Sequence, residues 1–224
     1  MFNYITIGYD CSPAALLRNL NIRKYALPFD WIVSNVPALE ACFRDNFKQY
    51  HRELHYNDNK TRLIDGYGFQ FPHDYPTSNH RFNNPDDYAT QSMNGDDNIT
   101  KDSKNNEVVI SEDIIIENWA DYHESVLAKY DRRIKRFIDI MNDPAPIIVL
   151  CRYNTYEVLQ LQQLFLKYYH KENLYFINST QEVFENDKIV NIYTEKNGEW
   201  NDPTVWKSCL DAVILKHNLQ HTES

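Results

Sequence analysis

The chain lacks three features that would each assign it to a class at once: an excess of basic residues, a long apolar run and closely spaced cysteines. Its 23 Lys and Arg stand against 32 Asp and Glu, a formal charge of −9 at pH 7. Nucleic-acid binding needs clustered cations over much of one face to neutralise phosphates, so no nucleic-acid partner is expected. No stretch approaches the ~18 apolar residues of a membrane span, so no membrane partner is expected either. The short apolar run after Met1 gives way at once to the polar Tyr9-Asp10 pair, which does not fit a signal peptide. The four cysteines, Cys11, Cys42, Cys151 and Cys209, are far apart and show no CxxC spacing. Neither a zinc site nor a disulfide framework is indicated, no cofactor is implied, and a reducing, cytoplasmic location is expected. There is no internal repeat.

What is present is enough apolar material for one sizeable core: 224 residues, 42% hydrophobic and 14% aromatic. A single α/β domain over 1–224 is expected. Tyr4 to Gly8 alternates and is β-branched, which predicts a strand. Ser12-Pro13 then offers an N-cap and a first-turn proline for a helix carrying Ala14 to Leu17. Cys11 therefore stands in a strand-to-helix loop. Val36, Leu39, Phe43 and Phe47 recur at helical spacing, and the Gly66/Gly68 region before Phe71-Pro72-His73-Asp74 predicts a short strand closing on a turn. Residues 77–107 lose periodicity and fill with polar residues, predicting a long exposed loop or insertion. A helix from about Asp121 to Met141 follows, and its basic run of Lys129, Arg132, Arg133, Lys135 and Arg136 reads as a solvated face or an anion-binding edge.

Ile147 to Cys151 is an unbroken apolar run, the pattern of a strand covered on both faces. A helix with Val158, Leu161, Phe165 and Tyr168 on one side and a strand at Leu174 to Ile177 complete a βαβ unit, and Ile189 to Tyr193 adds a further strand before a last helix. The expected fold is a layered α/β domain with a partly parallel central sheet containing this C-terminal βαβ unit.

Cys11 is the leading candidate for chemistry, because an anion is favoured at a helix N-terminus and a depressed thiol pKa makes a nucleophile; the alternative is a buried structural cysteine. Cys42, Cys151 and Cys209 read as core residues. A nucleophilic thiol needs a base. His73, in its tight turn, is the first candidate and His80 the second, with no catalytic histidine as the alternative, while His51 and His55 read as an exposed helix end. Asp30, set among Pro28, Phe29 and Trp31, needs a partner: it orients an imidazole or an arginine, or it caps the helix near Ser34. Asp74 reads as a turn former. Arg152, just past a parallel strand, and Trp31 are candidate substrate contacts, with Arg152 free to pair with Asp30 or a substrate anion or to be an ordinary surface residue.

Ile7-Gly8-Tyr9-Asp10-Cys11, Leu16-Leu17, Ile22-Arg23 and Pro28-Phe29-Asp30-Trp31, together with Phe71-Pro72-His73-Asp74, Tyr130 to Phe137 and the Ile-Ile-Val-Leu-Cys-Arg strand, resemble the family of putative papain-like cysteine peptidases. The resemblance implies Cys11 as nucleophile and His73 as base, a peptide or other acyl substrate, and a papain-like α+β fold as the alternative architecture. The Cys-Gly-Ser-Cys-Trp flank of papain-type sites is absent around Cys11. Three functions compete. The first is a cysteine-dependent hydrolase working through an acyl-enzyme, with helix N–H groups near Ala14 holding the oxyanion. The second is a transferase or other sugar- or nucleotide-handling enzyme in which Cys11 does not react, and the third is a non-catalytic interaction protein.

Overall fold

In the computed structural model, residues 2–78, 114–194 and 202–219 are described. The expected loop at 77–107 falls almost wholly outside them, as does His80.

Four strands form a parallel sheet: β1 (Asn3–Gly8), β5 (Ile147–Arg152), β6 (Leu174–Thr180) and β7 (Ile189–Tyr193), adjacent in that order. Between β1 and β5 come α1 (Ser12–Asn19), α2 (Val36–Asp45), the two-residue strands β2 (His55–Tyr56), β3 (Leu63–Ile64) and β4 (Gln70–Phe71), and α3 (His123–Asn142). Helix α4 (Thr155–Tyr169) joins β5 to β6, and α5 (Pro203–Lys216) follows β7. The architecture is α/β, with the predicted βαβ unit in place, and not the α+β alternative.

Strand alternation divides the core between two faces. Ile5, Ile7, Ile147, Val149, Cys151 and Phe176 point to one side and meet α2, α3 and α4 through Phe43, Phe137 and Phe165. Ile148, Leu150, Ile177 and Ile192 point to the other and meet Leu16 and Leu17 of α1 and Trp206, Leu210 and Val213 of α5. Because β5 contributes to both clusters, its run is apolar without interruption. The short strands β2, β3 and β4 make a separate antiparallel sheet of three, where only one short strand was expected. Two residues per strand are too few for a periodic signal.

The basic helix departs from expectation. Lys129 and Arg133 are buried, one turn apart on α3, so this face is turned inward.

Candidate functional site

Strand β1 ends at Gly8, whose carbonyl accepts from the Ser34 N–H at 3.1 Å and the Ser34 hydroxyl at 2.6 Å. A Cβ on Gly8 would lie 3.4 Å from the Arg152 backbone nitrogen, so glycine lets the ends of β1 and β5 approach closely. Beyond it, Cys11 takes the N-cap position of α1 without a side-chain capping bond. The capping falls to Asp10. Its carboxylate accepts the Ser12 N–H at 2.9 Å, the Ser12 hydroxyl at 2.5 Å and Arg152 Nη1 at 2.5 Å. The anion at this helix N-terminus is thus a carboxylate, and the half-buried Cys11 thiol is pushed above its ordinary pKa by burial and then by Asp10, with Arg18 and Arg62 pulling the other way. The depressed thiol pKa expected from helix position is reversed, first because of the thiol's burial and second because the Asp10 carboxylate already occupies the helix N-terminus. The expected oxyanion donors change as well: the Ser12 N–H is taken, Pro13 has none, and Ala14 is wholly buried.

His73 lies in the turn after β4, its ring 6.3 Å from that of Trp31 at 86°. The Arg18 and Arg23 guanidiniums lie over the same indole, at 5.1 and 5.6 Å. His73 retains exposed surface, yet protein packs densely enough around it that burial lowers its pKa, Asp74 opposing and Arg62 and Lys129 assisting. Arg62, anchored to Gln70 Oε1 at 2.9 Å, acts on both the Cys11 thiol and the His73 imidazole. No hydrogen bond joins Cys11 to His73 among the described residues.

Asp30 is buried and fully engaged. Thr6 donates to Oδ1 at 2.5 Å, while Oδ2 accepts Arg23 Nη2 at 2.8 Å, Arg23 Nε at 3.2 Å and the Leu27 N–H at 2.9 Å. Of the partners weighed from sequence, arginine is the one present. The cap of α2 is Asn35, accepting from the Ala38 N–H, and Arg152 pairs with Asp10 and not with Asp30. Cys42 and Cys151 are buried and Cys209 is half-buried.

Two further groups lay beyond sequence reasoning. Asp74 is a buried anion, held by Lys129 Nζ at 2.5 Å and the Tyr130 hydroxyl at 2.8 Å. His51, expected at an exposed helix end, is completely buried. Its Nε2 meets the Tyr75 hydroxyl at 2.7 Å, and that hydroxyl meets His123 Nδ1 at 3.0 Å. Only Asp10 left a signal in the sequence, as an Asx residue two positions before a serine at a helix start.

A cleft of ≈ 410 Å³ opens past the C-terminal ends of the parallel strands, lined by Tyr9, Arg152 and residues of the β6 and β7 ends. A second cavity beside Tyr4, Arg23 and Asp30 measures ≈ 30 Å³, room for about one water and no substrate. Among the described residues no cluster of three or more metal-ligating side chains occurs, and no helix is long and apolar enough to cross a membrane.

The family described as "Putative papain-like cysteine peptidase (DUF1796)" matches residues 2–180, a span that holds Cys11, Trp31, His73 and Arg152. No curated protein and no solved structure matches the chain.

Proposed function

From the premise that the chain belongs to the family of putative papain-like cysteine peptidases, we propose that it is a thiol hydrolase acting on a peptide or other acyl substrate. Cys11 Sγ attacks the acyl carbon as His73 takes the thiol proton. The C–S bond forms, the bond to the leaving group breaks, and His73 returns the proton to that group. Water then cleaves the thioester, restoring the thiol. The observation that carries this reading is the family match over residues 2–180, which holds both Cys11 and His73, together with Trp31, whose ring is met by Arg18 of the helix that Cys11 opens at 5.1 Å and by His73 at 6.3 Å.

The electrostatics support the division of roles. A thiol with a raised pKa has little thiolate at neutral pH and needs a base. An imidazole with a lowered pKa is neutral there and can accept the proton. Asp30 serves as a positioning residue, since it fixes Arg23 against Trp31 and so shapes the wall facing His73. Trp31 flanks the substrate on the His73 side, while Arg152 is held by Asp10 at the cleft past the strand ends.

Acyl transfer from p-nitrophenyl acetate, followed by intact-mass and peptide mapping, tests this. Acetylation should concentrate on Cys11, disappear in Cys11→Ser, and slow by about 100-fold in His73→Gln, the lower range for loss of a general base. Equal acetylation of all four cysteines, or an unchanged rate in His73→Gln, would overturn it.

A further inference from the structure

The cleft at the C-terminal edge of the sheet is built from four successive strand ends: Tyr9 after β1, Arg152 to Asn154 after β5, Ser179 to Glu182 at the end of β6, and Thr194 after β7. Ligands of open parallel sheets bind at this edge. Its ≈ 410 Å³ falls within the range of small-molecule sites, about 300–1,000 Å³.

Charge narrows what it accepts. The cation lining the cleft, Arg152, is already paired with Asp10. Glu182 accepts the Thr155 N–H at 2.8 Å, which lowers its pKa and keeps it ionised. Glu157 closes the adjacent helix cap on the Asn154 N–H at 3.1 Å. The lining thus holds one guanidinium, engaged by Asp10 from outside the cleft, and one carboxylate, Glu182, so a phosphate or carboxylate ligand finds no net positive charge to attract it. The lining also contains no aliphatic side chain, which leaves no pocket for an apolar amino-acid side chain. Ser179 and Thr194 bond to each other at 3.0 Å. Thr180 and Gln181 have no side-chain hydrogen bond among the described residues, and Glu182 keeps a second oxygen for an incoming donor. A hydroxyl, a carboxamide and a carboxylate oxygen beside the half-exposed Tyr9 ring match a ligand that both donates and accepts hydrogen bonds and carries no charge.

We propose that this cleft binds a saccharide, a neutral and multiply hydroxylated ligand. The proposal stands apart from the thiol chemistry and does not require Cys11 to react.

Saturation-transfer NMR on the full chain with glucose, galactose, N-acetylglucosamine and maltose, each alone, tests it, with inorganic phosphate and glycinamide as charged competitors. At least one sugar should bind and neither competitor should displace it. Binding should weaken at least tenfold in Gln181→Trp, where an exposed side chain is enlarged to fill the cleft, with thermal stability unchanged. Cys11→Ser should bind as the wild type does, which separates this result from any failure of the hydrolase reading. The proposal fails if no sugar binds, if phosphate or glycinamide displaces the sugar, or if Gln181→Trp and a second filling variant, Thr180→Phe, both bind undiminished.

Discussion

At the start of α1 two acids compete for one electrostatic position, and Asp10 holds it. Its carboxylate accepts the Ser12 N–H and, beside a thiol already disfavoured by burial, raises the cost of a second negative charge on Cys11. Asp10→Asn keeps a side-chain oxygen for the cap and removes the charge, while Arg152 loses its counter-ion. The Cys11 pKa should fall, making alkylation by iodoacetamide at pH 7 faster, by up to about tenfold. A pH–rate profile of Cys11 modification in the two proteins measures this, and a profile unmoved or shifted upward would contradict it. The position of Cys11 was legible because a β-branched run followed by Ser-Pro writes strand, loop and helix into adjacent residues. Its ionisation was not, because that depends on where the Asp10 carboxylate turns and on Arg152, which lies beyond β1 in another strand.

The elements that could be read were those whose pattern is local and long: β1, β5, the stripe of α4 and the βαβ unit they form. Helix α3 was found, with Val126, Tyr130, Phe137 and Met141 inward, but the burial of Lys129 and Arg133 was not, since five basic residues around a helix say nothing about which of them meets an acid. The acid is Asp74, in the turn after β4 and 55 positions from Lys129. Their ion pair, with the Tyr130 hydroxyl on the second carboxylate oxygen and Arg133 5.2 Å from the Tyr130 ring, fastens the three-stranded sheet to α3. Burial raises the Asp74 pKa, yet Lys129, His51 and Arg133 together outweigh it and hold the acid at about 2. Breaking such a pair strands a buried charge. Lys129→Met should therefore cost about 3–5 kcal/mol in urea denaturation, and Lys129→Met/Asp74→Asn should recover a large part of that loss. A single-variant loss under about 1 kcal/mol would mean that the carboxylate finds water, and that the sheet is not fastened here.

Over the whole molecule the buried titratable groups oppose one another as pH falls. His51 packs against Phe71, Tyr75, Tyr130 and His123. Burial drives its pKa down to about 3, with Asp74 opposing and Lys129, His123 and Arg133 assisting. Between the ordinary histidine value of about 6.5 and this one, the unfolded chain binds the proton and the folded chain does not, so His51 withdraws stability on acidification. Asp65 does the reverse. Burial raises it to about 6 despite the backbone N–H groups of His51, Phe69 and Tyr67 that it accepts. The folded chain therefore takes up this proton first between about pH 6 and 4, and gains stability there. Below about pH 4 that gain is complete, while His51 continues to withdraw stability and Asp74 begins to do so. The protein should thus lose stability gently from pH 6 to 4, through the lowered pKa values of His73, His123 and His217, and steeply below pH 4. In Asp65→Asn the Oδ1 contacts to Tyr67 and Phe69 persist, but the offset to His51 is gone. Its unfolding free energy should fall between pH 6 and 4 more steeply than that of the wild type, by up to roughly 1.4 kcal/mol per pH unit. Urea titrations at half-unit pH intervals measure both slopes, and equal slopes would show that Asp65 is ionised in the folded protein throughout this range.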